Sequence, residues 1–125
     1  MESDKSTTLS ELKDKVKDFI QERDWTKYHN PKDIAVSIAI EVGELLELFQ
    51  WVKDDDQAKK IQDPSEYKKL EEELADIIIY CLSLANVTNM DISSAIVNKI
   101  EKNKAKYPVG QVKGDYKKYT ELEET

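Results

Sequence analysis

The stretch EEELADIIIYCLSLA, residues 71–85, decides the fold because it contains only residues compatible with a helix and neither Gly nor Pro. Apolar side chains recur through it at helical spacing, with Glu73, Asp76 and Tyr80 along one flank. The main apolar stripe consists of Leu70, Leu74, Ile77, Cys81 and Leu84. The whole chain of 125 residues has 3 Gly and 3 Pro, so the composition also predicts an all-α fold.

Residues typical of helix N-termini predict where the other helices begin. Each of four segments begins with Thr, Asn or Asp at an N-cap position, and in two of them Pro follows directly. The predicted helices span residues 9–23, 31–53, 65–87, and a last one from Asn89 or Asp91 to just before Pro108. The charged stretch 53–62 is expected to be a solvated connection, and 109–125 an extended tail of one single domain.

The composition excludes several classes of protein. The chain has 26 acidic and 19 basic residues and a net charge of -7, which argues against electrostatic binding of a nucleic-acid backbone. A lone cysteine, Cys81, excludes an intramolecular disulfide. No apolar run approaches about 18 residues, and the N-terminus lacks an apolar signal core, so we expect neither a membrane span nor secretion. The expected location is the cytoplasm.

Two pairs of acids flank the apolar stripes of the second and third helices. Glu41 and Glu44 form the first pair, and Glu73 and Asp76 the second. The two pairs would converge if the helices pack antiparallel, and neither face carries Lys or Arg to offset the charge. Carboxylate ligands without His favour Mg²⁺, or Mn²⁺, over zinc or iron. The alternative is that these residues are ordinary surface acids.

A di-iron centre of the ferritin type is a competing interpretation of the acids. Such a centre uses Glu-x-x-His on its helices, whereas the single histidine of this chain, His29, lies between two predicted helices. The pattern therefore favours the magnesium site.

Candidate substrate contacts lie outside the acid pairs. Lys99, Asn103 and Lys106 share one face of the last helix, where they could bind phosphate or simply form a solvated basic face. Four flat side chains could bind a base, although packing in the core is the ordinary role of such residues. Two of them lie on the helix sides that carry the acids. The four residues are Trp25, His29, Trp51 and Tyr80.

Several blocks of this sequence resemble the all-α nucleoside triphosphate pyrophosphohydrolases of the MazG type, and more specifically their dCTP pyrophosphatase branch. The resemblance rests on the two acid pairs, which read Glu41-Val-Gly-Glu44 and Glu73-Leu-Ala-Asp76, and on three further blocks. These blocks are ERDWTKYHNP at 22–31, KYP at 106–108 and KYTEL at 118–122. They span nearly the whole chain.

The resemblance implies a four-helix bundle that uses Mg²⁺ to hydrolyse dCTP, or a modified dCTP, to the monophosphate and pyrophosphate. It implies that the four acids Glu41, Glu44, Glu73 and Asp76 are the metal ligands and catalytic residues. The implied substrate contacts are Trp25 and the stretch to His29, Trp51 and Tyr80. It also implies a homotetramer built from dimers, with sites formed between subunits.

Two positions depart from related sequences. Val16 stands where the similar vertebrate enzymes carry a histidine, which leaves one substrate contact open. Ile40 stands where broader MazG proteins often have a second glutamate, as expected for the dCTP branch. Two other functions are kept open. One is the same fold acting on a different nucleoside triphosphate, and the other is a catalytically silent helical oligomer that binds nucleotides or a protein partner.

Overall fold

The protein is all-helical in a computed structural model that describes residues 1–114. The KYTEL block and the predicted tail from residue 115 onward lie outside the described residues. The described part has no β-strand, which confirms the predicted all-α class. It forms six helices: α1 (Leu9–Glu22), α2 (Pro31–Glu47), α3 (Gln57–Gln62), α4 (Pro64–Val87), α5 (Ile92–Lys106) and α6 (Val109–Val112). Two 3-10 turns occur at Thr26–Tyr28 and Asp54–Asp56.

The four long helices begin where the capping residues predict. Thr8 and Glu11 form a reciprocal capping box at the start of α1. Asn30 accepts a hydrogen bond from the Asp33 backbone N–H before α2, and Asp91 accepts one from the Ser94 backbone N–H before α5. These side chains satisfy backbone donors that a helix leaves without partners in its first turn.

Helix α2 is shorter than predicted. It ends at Glu47 rather than near residue 53, because the next backbone N–H groups donate to carbonyls three residues back, and Trp51 then takes a left-handed backbone conformation with φ 67°. The stretch 53–62, expected as a connection, contains the short helix α3. The beginning of the predicted tail contains α6.

Helix α4 organises the first of two compact units, Met1–Met90, within which α1, α2 and α3 all pack against it. The Lys13 ammonium donates to the Met90 carbonyl oxygen at 2.7 Å, and the Asn86 amide donates to the Lys13 carbonyl oxygen at 3.0 Å, so the start of α1 lies beside the end of α4. The second unit begins at Asp91 and, within the described residues, contains α5 and α6.

The buried apolar core of the first unit is small. It consists of Val16, Ile20, Ile34, Leu82 and Ala85. In α4 the most buried apolar residues are Leu82 and Ala85 rather than the predicted stripe, whose members are half-buried or, like Leu74, exposed. The stripe follows helical spacing, but the most completely buried residues of α4 lie beside it.

Large apolar side chains remain exposed on several helices, including α2 and α4. Ile78 and Ile79 of α4 are 46% and 42% exposed, and Ile40 of α2 is 58% exposed. Helix α4 is thus apolar on more than one face, as the sequence indicates, and such a surface is typical of a subunit interface. The oligomeric state itself stays a prediction. Among the described residues, no helix is long and apolar enough to cross a membrane.

Replacement of the α4 cap gives a test of this fold. The Asp63 carboxylate accepts hydrogen bonds from the backbone N–H groups of Ser65 and Glu66 and from the Ser65 hydroxyl. We expect Asp63→Ala to lower the free energy of unfolding by about 1 kcal/mol in urea titration. Asp55→Ala, which removes an exposed carboxylate that caps no helix, is the matched control. Equal losses in both variants would contradict the capping role.

Candidate active site

Three carboxylates from two helices meet on one side of the first unit. Glu41 of α2 and Glu73 and Asp76 of α4 each place one oxygen within 4.8 Å of the others. Glu41 and Glu73 are partly buried, whereas Asp76 is exposed. Since His29 before α2 contacts Tyr80 while Glu41 approaches Glu73 and Asp76, the two helices run antiparallel, as predicted.

The fourth predicted ligand, Glu44, adjoins the group without belonging to it. Its carboxyl is exposed, and it interacts with the Glu41 carboxyl and with Glu73. No ion pair involves any of these four acids within the described part of the chain, where the salt bridges lie elsewhere. The cluster therefore carries negative charge that no Lys or Arg offsets.

One further acid adds to the negative electrostatic field of the cluster, although the sequence pattern does not indicate that it lies nearby. Glu47 is the last residue of α2, and a straight helical wheel turns it away from the other acids. In the structure its charge helps to raise the pKa of Glu73.

Both partly buried glutamates bind protons more tightly than usual. Burial raises the pKa of Glu41 above its ordinary value, and the neighbouring carboxylates of Glu44, Asp76 and Glu73 raise it further. Burial also raises the pKa of Glu73, together with the Glu44 charge. Desolvation and like charges thus act in the same direction.

The donor set of the cluster fits a hard divalent cation. One oxygen of Glu41 and one of Glu73, both named Oε2, are buried and have no hydrogen-bond partner among the described residues. A buried carboxylate oxygen without a partner is costly unless a cation or a donor satisfies it. Oxygen-only donors at this separation are those that Mg²⁺ or Mn²⁺ would take.

Aromatic side chains line the same end of the fold. The His29 ring stacks on the Tyr80 ring, with centroids 6.5 Å apart and planes 16° apart. The Trp25 carbonyl oxygen lies 2.8 Å from Nδ1 of His29, and the Trp25 indole meets the Phe19 ring edge to face at 5.9 Å. The structure thus brings the His29 and Tyr80 rings together, whereas the Trp25 indole packs against Phe19.

Trp51 is placed differently from its prediction. Helical spacing in the sequence places it on the acid side of a continuous helix, but α2 has already ended, and the side chain is 91% exposed in a turn. A left-handed backbone is unfavourable for a bulky residue, so the chain retains strain at this position. Val16, where related enzymes have a histidine, is buried in the core and supplies packing.

The predicted phosphate contacts lie on α5, in the second compact unit. Lys99, Asn103 and Lys106 occupy one face of that helix at the predicted spacing, and the helix ends at Lys106. Their role in binding phosphate stays a prediction.

The chain is similar to a family model, to curated proteins and to a protein of known structure. Residues 36–122 match the model of the MazG-like family. The chain is 37% identical to mouse dCTP pyrophosphatase 1 and 36% identical to the human protein of that name, each over 92% of this chain and 68% of the relative. A pyrophosphatase of known crystal structure from Archaeoglobus fulgidus superposes with a TM-score of 0.75 at 44% identity, over 80% of this chain and 92% of that one.

The raised pKa values make the stability of the metal-free chain depend on pH. Above pH 4.5, the ordinary pKa of Glu, the folded chain holds more protons at Glu41 and Glu73 than the unfolded chain does. The free energy of unfolding should therefore fall as the pH rises through the folded pKa values. We expect Glu41→Gln to reduce this fall in thermal melts with a chelator present. An unchanged pH dependence would show that Glu41 does not carry the effect.

The strain at Trp51 predicts an unusual order of variants. Gly adopts a left-handed backbone without a steric penalty, whereas Ala does not. Trp51→Gly should therefore be about 1 kcal/mol more stable than Trp51→Ala in urea titration. If the Ala variant is equally stable or more stable, the left-handed backbone at residue 51 imposes no strain.

Proposed function

This chain belongs to the MazG-like family, and on that basis we propose that it is a nucleoside triphosphate pyrophosphohydrolase that acts on dCTP or on a modified dCTP. The products would be the nucleoside monophosphate and pyrophosphate. The main support from the structure is the group formed by Glu41, Glu73 and Asp76, which has two buried oxygens without partners and no positive side chain to offset it.

The proposal explains how an acidic site could accept a polyanion. A triphosphate and these carboxylates repel each other unless cations lie between them. We assign Glu41, Glu44, Glu73 and Asp76 as metal ligands, and Mg²⁺, with Mn²⁺ as an alternative, as the ion. When bound, such an ion neutralises phosphate charge and lowers the pKa of a coordinated water.

The residues of the chain have separate tasks in this proposal. Glu41 and Glu73 are held rigidly on packed helices, which fixes the position of the cluster. Glu44 is exposed and interacts with the cluster from outside, so it is placed to orient the attacking water and to accept its proton. The water oxygen forms a new bond to phosphorus as the bridging P–O bond between the α- and β-phosphates breaks, and pyrophosphate leaves.

Substrate binding is assigned to two groups of side chains. Trp25, His29 and Tyr80 offer flat surfaces near the acids, and Tyr80 lies one helical turn beyond Asp76. The exposed Trp51 would close on the base. On α5, we assign Lys99, Asn103 and Lys106 to the phosphate groups, where cationic and amide donors stabilise oxygen charge that the metal does not cover.

We further propose that the protein is a homotetramer, built as a dimer of dimers from a single domain. An apolar groove of about 480 Å³ lies between α1 and α4, and its walls include Phe19, Ile78 and Ile79. Together with the small core, this surface would be covered by a second copy. We place the enzyme in the cytoplasm, because the nucleoside triphosphate pool that would supply its substrate lies there.

Pyrophosphate release from a panel of deoxynucleoside triphosphates, with and without Mg²⁺, tests the function. We expect turnover that needs the ion and is fastest with dCTP. Asp76→Ala should abolish turnover because it removes a carboxylate from the cluster, and Glu44→Ala should do so because it removes the group that orients the attacking water, while helical content by circular dichroism stays unchanged.

Glu72→Gln is the control for these variants, since Glu72 is exposed and outside the acid group. Its turnover should equal that of the unmodified chain. Retention of most activity in Asp76→Ala would contradict the metal site. Lack of turnover with every nucleotide in the unmodified chain would leave only the silent oligomer, and faster turnover with another base would change the substrate.

A further inference from the structure

A second, smaller cavity lies beside His29. It has a volume of about 100 Å³ and lies between α1, the turn at Thr26–Tyr28 and α4. Gln21, Thr26 and Asn86 contribute polar groups to its wall, as do His29 and Ser83. Because a water molecule takes about 30 Å³ in the liquid, the space can hold a polar substituent but not a complete nucleotide.

Ser83 is the most unusual residue of this wall. It is 2% exposed and is the buried polar residue of an otherwise apolar core. No hydrogen bond of its hydroxyl is found among the described residues, yet its oxygen is not among the fully enclosed atoms without a partner, which are Oε2 of Glu41 and of Glu73. The oxygen is therefore open to the cavity, where a donor on a ligand would satisfy it.

His29 supplies a second polar atom with a defined role. A carbonyl oxygen can only accept a hydrogen bond, so the contact of 2.8 Å with the Trp25 carbonyl requires that Nδ1 of His29 carries the hydrogen. In the neutral ring, Nε2 is then an acceptor. The residues at the cavity therefore offer two atoms, the Ser83 Oγ and the His29 Nε2, that can each accept a hydrogen bond.

The cavity lies in line with the acid cluster. Asp76, Tyr80 and Ser83 occupy positions i, i+4 and i+7 of α4, so they share one face of the helix. Asp76 and Ser83 are separated by about 10 Å along the axis, from a rise of 1.5 Å per residue. This order of acid, ring and hydroxyl matches the order of phosphate, nucleoside and outer base edge in a nucleotide.

We propose that Ser83 is a specificity-determining residue that accepts a hydrogen bond from the 4-amino group of a pyrimidine base, with Nε2 of His29 as the second acceptor. The inference rests on the proposed function, because that function brings a pyrimidine nucleotide to the acids. A 4-amino group has two N–H donors, one for each acceptor. A 4-oxo group has none, and it would leave the acceptor on His29 without a partner.

The test compares two substrates with two forms of the full chain. Ser83→Ala removes only the hydroxyl. The substrates are dCTP and the deoxynucleoside triphosphate of pyrimidin-2-one, which lacks the 4-amino group. We expect the variant to lower kcat/KM for dCTP about tenfold and to leave the analogue unchanged, because a single hydrogen bond is lost with dCTP alone. Ser93→Ala, at an exposed position of α5, should change neither.

The other outcomes overturn the proposal. An equal loss with both substrates would mean that Ser83 only supports the fold, and no loss with dCTP would mean that the base does not reach the cavity. Binding measured by titration calorimetry separates this proposal from the proposed function. If the unmodified chain binds dCTP without hydrolysing it, the proposed function fails and the Ser83 proposal is decided by the same comparison of binding constants. If dCTP does not bind, both proposals fail.

Discussion

The site depends on repulsion between carboxylates that two packed helices hold together. Glu41 on α2 and Glu73 on α4 lose hydration where the helices meet, and each experiences the charge of its neighbours, which raises both pKa values. Folding alone does not relieve this arrangement, because no Lys or Arg reaches the group within the described residues. The helices therefore retain an unfavourable interaction that a cation would convert into a favourable one.

The sequence predicted the parts of this arrangement that follow from helical periodicity and from end signals. The convergence of Glu41 with Glu73 and Asp76 requires only that two amphipathic helices pack antiparallel, and the caps at Thr8, Asn30 and Asp63 are local. Resemblance to a family then gave the chemistry, since spacing alone cannot distinguish a metal site from surface acids.

Other features required the structure because they depend on where the helix stops. The helical wheel extended α2 to residue 53, so it placed Trp51 on a helix face and turned Glu47 away from the acids. The placement of Trp51 was wrong because the backbone leaves the helix after Glu47, whereas Glu47 itself is helical and exposed. The polar cavity at Ser83 could not be predicted either, since a serine within an apolar run carries no sign of whether its hydroxyl has a partner.

The two tryptophans of the chain differ sharply in their surroundings. The Trp25 indole is held against Phe19 at the corner between α1 and α2, whereas the Trp51 indole stands in solvent. Indole fluorescence depends on local polarity, so Trp51, 91% exposed, should emit at a longer wavelength than Trp25, which is 43% exposed. Intrinsic emission from this protein consequently has two separable components, one sensitive to the packing of the corner and the other to whatever covers residue 51.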